Sequence, residues 1–220
     1  MATTTSSTDE TINLVLIGKK GSGKSRTGNT ILGCNKVFEF GLQFETQYGI
    51  GKMCRFGLDL CVIDTPGIDT FTKRDSLKFQ SYIEEKTQGV IIYLLCIKIG
   101  RFTKEENELI KQYKLYIGHE FAANTIVIFT HVDEWISDCQ DQGILEPKCE
   151  DFIESLDKNS IQLLTSFDKR YTFLNNRKRE NDERVTQIVC MAKQICEQSA
   201  FPSQQILLKP QRSRFSCQIL

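Results

Sequence analysis

The chain carries no net charge, because its 28 basic and 28 acidic residues cancel. No global field draws it to nucleic acid or to an anionic membrane, so any such attraction has to be local. Its nine cysteines, at 34, 54, 61, 96, 139, 149, 190, 196 and 217, include no C-x-x-C pair. Several lie inside apolar runs where a small buried thiol fits, which points to a reducing compartment. Long apolar runs are missing as well. The longest, VIIYLLCI at 90–97, falls far short of the ~20 residues a helix needs to cross a bilayer. The opening MATTTSSTDE has no basic region followed by an apolar one, so no targeting helix is expected and the body is expected to be soluble. There is no internal repeat and no heptad pattern, and the one low-complexity patch is the Ser/Thr run at 3–8.

What is present is enough for one compact domain: 220 residues with 40% apolar content can bury a substantial core but not two. Strand and helix patterns alternate. INLVLI (12–17) reads as a buried strand running into a glycine-rich turn, and SRTGNTILG (25–33) as the helix after it, ended by Gly33. A polar, glycine-spaced stretch follows at 34–52. LDLCVID (58–64), VIIYLLCIK (90–98), NTIVIFT (124–130) and YTFL (171–174) read as further strands. Helices are expected at 104–117, within 134–168 and at about 181–198, where Val185, Ile188, Val189, Ala192, Ile195 and Cys196 share a face. The pattern is that of an α/β fold with a mostly parallel central sheet and helices on both faces. Residues 1–11 are expected to be disordered, 12–198 to form the domain and 199–220, with Pro202 and Pro210, to be a flexible tail.

The strongest chemical signal is GKKGSGKS at 18–25, a G-x-x-x-x-G-K-[ST] loop between a strand and a helix. Gly18, Gly21 and Gly23 let the backbone turn its N–H groups and the helix N-terminus toward a phosphate chain. Lys24 reaches the β- and γ-phosphates, and the Ser25 hydroxyl is a ligand for Mg²⁺. Ser22 within the loop and Arg26 just past it complete the expected contact set. DTPG at 64–67 ends the next buried strand, which places Asp64 to hold Mg²⁺ through water and the Gly67 N–H to approach a γ-phosphate. Thr46 is the single Ser or Thr between 34 and 57, so by elimination it is the mobile hydroxyl expected on the metal.

THVD at 130–133 departs from the Asn-Lys-x-Asp with which many such proteins read guanine. Asp133 is placed to accept from guanine N1–H and N2–H₂, a pair that adenine does not offer. His131 either covers the purine by stacking or is a solvated loop histidine; Asn175 either walls the base or simply shapes its turn. Ile68 follows DTPG, so the glutamine that orients water in some small GTPases is absent and turnover is expected to be slow. Arg101 is the candidate to assist, as an arginine finger in cis or from a second copy, or else it pairs with Glu105 or Glu106. An ATP-using kinase on the same fold would not need Asp133. A scaffold that binds GTP without hydrolysing it is the remaining alternative.

Together GKKGSGKSRTGNTILG, VIDTPGIDT, GRFTKEE, FTHVDEW and RYTFLNN resemble the immunity-associated (AIG or GIMAP-type) GTPases, relatives of septins and chloroplast Toc receptors. The resemblance runs from about 12 to 198, and GRFTKEE at 100–106 is its most specific part. It implies a P-loop GTPase three-layer fold, GTP and GDP with Mg²⁺ as ligands, and a homodimer across the nucleotide faces. It favours Arg101 acting from the second copy. A long coiled-coil extension is not expected from residues 199–220. Finally, Cys217-Gln218-Ile219-Leu220 fits C-a-a-X with leucine last, the geranylgeranylation form. Lys209, Arg212 and Arg214 just upstream would add attraction to an anionic cytosolic membrane face.

Overall fold

The computed structural model describes residues 11–41, 47–100, 102–178 and 181–200. Thr46, Arg101 and Cys217 lie outside the described residues. Six strands form one sheet in the order β2-β3-β1-β4-β5-β6. Strands β1 (Ile12–Ile17), β3 (Leu58–Asp64), β4 (Ile91–Lys98), β5 (Thr125–Thr130) and β6 (Tyr171–Phe173) run parallel, and β2 (Gly49–Arg55) runs antiparallel to β3 at one edge.

Each central strand is buried along its length and alternates its side chains between two layers. Leu14 and Leu16 of β1 pack into one layer with Ile31 and Leu32 of α1 (Lys24–Leu32) and with Val185, Ile188 and Ala192 of α8 (Asp182–Ala200). Val15 and Ile17 pack into the other with Phe79 and Ile83 of α2 (Lys73–Lys86) and Leu109, Ile110 and Tyr113 of α3 (Lys104–Ile117). The second layer is rich in rings: Phe129 stacks on Phe173 at 5.4 Å and meets Phe152 edge-on at 5.2 Å. Each such fully buried ring stabilises the fold by ~1.5–3 kcal/mol. Helices α4 (Glu120–Ala123), α5 (Val132–Asp141), α6 (Cys149–Glu154) and α7 (Lys158–Thr165) complete the chain, the last three filling the expected helical segment at 134–168.

Besides the one-turn helix α4, two elements are not foreseen by the pattern. The first, β2, lies within and beyond the glycine-spaced stretch and has only Gly51 buried. A Cβ at Gly51 would meet Leu32 Cδ1 and Val37 Cγ1, each at 2.6 Å, so the glycine gives close strand-to-helix approach at a sheet edge rather than a loop. The second, α2, buries only Ser76, Phe79 and Ile83 among many charges, too sparse a stripe to read as a period. Its start is secured locally: Thr72 Oγ1 accepts from the Asp75 N–H, and the Asp75 carboxylate accepts from the Thr72 N–H at 3.0 Å.

Registers align the C-terminal ends of the parallel strands: Leu16 with Asp64 and with Leu94, and Lys98 with Thr130. The strand order reverses about β1, so the loop after it opens at the crevice where such sheets bind ligands.

Candidate functional site

The loop from Gly18 to Gly23 is built from backbone conformations that side chains disfavour. Gly18, Gly21 and Gly23 have φ of 136°, 78° and 88°, and a Cβ at Gly18 would stand 2.5 Å from the Cys96 carbonyl oxygen on β4. Gly23 caps α1, whose first turn holds no acidic residue, leaving its N–H groups and positive dipole end open to an anion. Lys24 is buried at 5% exposure. Its Nζ donates to the carbonyls of Gly18 at 3.1 Å and Lys19 at 2.8 Å. Burial pulls its ammonium below the ordinary lysine value against the attraction of Cys96, Asp64 and Asp69.

Asp64 ends β3 beside this loop, 2% exposed. Burial pushes its carboxyl up to about 6, outweighing a hydrogen bond from Ser25 and the charge of Lys24. Its Oδ1 has no hydrogen-bond partner among the described residues. An orphaned carboxylate oxygen next to a hydroxyl is the all-oxygen donor set that suits Mg²⁺, which takes one or two protein ligands and completes its shell with phosphate and water. Ser25 and Asp64 therefore fit the ion. No cluster of three or more His, Cys, Asp or Glu able to hold a metal occurs among the described residues.

The turn after Asp64 folds over the loop. Thr65 Oγ1 donates to the Leu16 carbonyl at 2.6 Å, and a Cβ at Gly67 would lie 2.6 Å from Lys20 Cα and 2.9 Å from Lys24 Nζ. Glycine is the residue that lets the 67 backbone reach the loop and its lysine. Arg26 is brought elsewhere: it is exposed, with its guanidinium 4.2 Å over the Phe40 ring.

On the other side, β5 delivers THVD. Thr130 is wholly buried, and its hydroxyl donates to the Ser22 carbonyl at 2.7 Å. Ser22 Oγ itself has no partner among the described residues. His131 takes the left-handed conformation at φ 59° and caps α5. Its Cε1 lies 3.3 Å from where a Gly23 Cβ would stand, so the imidazole edge meets the phosphate loop. Half-burial lowers its pKa below the usual histidine value, which keeps the ring neutral at physiological pH. Asp133 follows in the first turn of α5 and pairs with Arg177 at 3.1 Å.

The loop after β6 is closed by its asparagines. Asn175 Oδ1 accepts from the Arg177 N–H at 3.0 Å, and the Asn175 carbonyl accepts from Asn181 Nδ2 at 2.9 Å. Asn176 accepts from Thr30 and donates to Thr27, both at 3.0 Å, tying the loop to α1. Both of these Asn175 bonds lie within its own turn. Thr130, Arg177, Glu134 and Lys98 belong to this region and are missed by the motif reading. The unusual residue at position 130 is the one local signal for any of them. Glu106, the last residue of GRFTKEE and at the start of α3, also adjoins the phosphate loop, its Oε1 3.6 Å from Lys19 Nζ.

Residues 12–202 match the AIG1 family. The chain belongs to the AIG1 family. Among curated relatives of this AIG1 chain, GTPase IMAP family member 8 of Homo sapiens is 32% identical over 195 residues, 84% of this chain and 27% of that protein. Immune-associated nucleotide-binding protein 10 of Arabidopsis thaliana is 29% identical over 185 residues, 80% of this chain and 38% of that protein. The chain thus spans between about a quarter and two fifths of the length of these relatives. Among solved structures, Toc33 of Arabidopsis thaliana with Mg²⁺ and GMPPNP superposes with a TM-score of 0.51 at 17% identity, over 76% of this chain and 71% of that one. The G domain of the T. maritima FeoB iron transporter gives 0.52 at 13% identity, over 84% and 99%. These likenesses show the fold, a P-loop GTPase sheet with helices on both faces.

Proposed function

We propose that this AIG1 domain binds GTP with Mg²⁺ and hydrolyses it slowly to GDP and phosphate. The observation that carries the reading is the buried Asp64 carboxylate, with one oxygen unpartnered, joined to Ser25 and facing Lys24 at the mouth of a glycine-built anion cradle. The Toc33 structures with GMPPNP or GDP and Mg²⁺ lend support, as does the GTPase name of the human relative.

Each residue has its task. The N–H groups of Gly21, Gly23 and the first turn of α1 hold the phosphate chain, and Lys24 exchanges its carbonyl partners for phosphate oxygens. Mg²⁺ at Ser25 and Asp64, with Thr46 as a further hydroxyl, supplies charge neutralisation when bound. Gly67 offers its N–H to the γ-phosphate. Asp133 accepts from the guanine edge, with neutral His131 against the ring. Asn175 serves by holding the loop beyond the base, and Arg26, turned onto Phe40, is given no contact to the nucleotide.

Ile68 orients no water, so turnover needs another group. We assign that role to Arg101 of a second copy docked across the nucleotide face. A solved Toc33 structure, that of a dimerisation-deficient mutant, lends support. Among the described residues no helix is long and apolar enough to cross a membrane. Where Leu220 is the last residue of the protein, Cys217 is the proposed prenylation site holding the domain on a cytosolic membrane face. In that case Cys217→Ser moves it to the soluble fraction; retention on membranes contradicts the anchor.

The experiment for the whole reading is GTP turnover across a protein-concentration series. A rate per protein that rises with concentration, and that Arg101→Ala abolishes while GDP still binds, is expected. A constant rate contradicts the dimer, and nucleotide binding with no turnover at any concentration favours the non-hydrolysing scaffold.

A further inference from the structure

Four charged side chains form a continuous ladder across the outer edge of the base site. Lys98 Nζ lies 2.6 Å from Glu134 Oε2, Glu134 Oε1 lies 3.2 Å from Arg177 Nη2, and Arg177 Nη1 lies 3.1 Å from Asp133 Oδ2. The signs alternate, and the members come from three places: the end of β4, the first turn of α5 and the loop after β6. Arg177 spans two successive carboxylates with two nitrogens of one planar group, which a lysine ammonium on a flexible stem does not reproduce.

Asp133 needs such a partner. It sits in the first turn of a helix with a part-exposed side chain, and Arg177 is its one ion-pair partner among the described residues. A carboxylate free to rotate would have to be ordered by the base itself, at a loss in affinity. Arg177, although exposed, is tied at both ends: its backbone N–H to Asn175 and its far nitrogen to Glu134, which Lys98 holds in turn.

We infer that Arg177 is a positioning residue for guanine, holding the Asp133 carboxylate in the orientation in which both oxygens meet the N1–H and N2–H₂ edge. Oδ2 has lone pairs for both the guanidinium and the base. The inference rests on Asp133 reading guanine, as proposed above. It gives the stretch after YTFLNN a function beyond turn formation, and Glu134 and Lys98 a part in nucleotide choice.

The test compares GDP with inosine diphosphate, which lacks the 2-amino group, so that phosphate contacts cancel. Arg177→Ala is expected to weaken GDP about fivefold and inosine diphosphate about twofold or less, lowering the preference for GDP. Arg177→Lys recovers part of it. Glu134→Gln weakens GDP about twofold alone and adds nothing in the Arg177→Ala background. Lys178→Ala, an exposed cation in the same loop, leaves the preference unchanged. An Arg177→Ala variant with the wild-type preference, or with tighter GDP binding, overturns the inference. Asp133→Asn separates the two layers: if it fails to trade guanine for xanthine, the reading of the base is wrong; if it does trade and Arg177→Ala has no effect, only the positioning role is.

Discussion

The hydroxyl of Thr130, at the end of β5, donates 2.7 Å to the carbonyl of Ser22 in the phosphate loop, 108 residues away in sequence. The guanine-motif strand and the phosphate loop are therefore fastened to each other before any ligand arrives. Thr130→Val keeps the shape but leaves a buried carbonyl without its donor, which costs ~1–3 kcal/mol. Thermal unfolding should drop by roughly 2–4 °C per kcal/mol for a domain of this size, and GDP affinity should fall with it. Calorimetry and a nucleotide titration on the same variant check both; an unchanged melting temperature would show the bond to be idle.

Gly67→Ala puts a methyl 2.6 Å from the Lys20 backbone, a distance that forces the turn away from the loop. The N–H proposed to meet the γ-phosphate retreats with it. GDP binding is expected to stay within about threefold of wild type, while single-turnover hydrolysis falls by about two orders of magnitude, as for loss of one transition-state donor. A variant that hydrolyses normally would remove Gly67 from the mechanism.

Asp64 sets a pH dependence whose sign is fixed by its raised pKa. The folded value of about 6 lies above the ordinary 3.8, so the folded state holds a proton that the unfolded chain has released. The Asp64 contribution therefore worsens as pH rises from about 4 to about 6, by roughly 3 kcal/mol at most, and is constant above. Without metal or nucleotide, wild type should lose stability across that window relative to Asp64→Asn. Mg²⁺–GDP, which needs the ionised form, should bind more weakly at pH 5 than at pH 7. Denaturant titrations of both proteins at these pH values decide it; parallel profiles would mean that Asp64 does not titrate there.

The parts of this site that the sequence reveals are those made by neighbours in the chain. GKKGSGKS announces itself because a phosphate cradle is one strand-to-helix turn whose glycines must sit at fixed offsets. DTPG is legible once that cradle is known. The α3 helix, from Lys104 to Ile117, matches the expected span because its apolar stripe is regular. The pairings of Thr130 with Ser22 and of Arg177 with Asp133 are invisible in sequence, since each joins elements that the fold alone brings together. Strand β2 is hidden for another reason. Its glycines mark a surface packed tightly, Gly51 against Leu32 and Val37 and Gly49 against Phe38, and in sequence that looks like a flexible linker.

Phosphate release from GTP by the purified chain, with and without Mg²⁺ and in the presence of excess ATP, bears on the nucleotide, the metal and the reaction at once. The arrangement of Lys24, Ser25, Asp64 and Asp133 predicts release that requires Mg²⁺, is undiminished by ATP, and shifts to xanthosine triphosphate in Asp133→Asn. Release that persists without Mg²⁺, or that ATP suppresses as well as unlabelled GTP does, would contradict it.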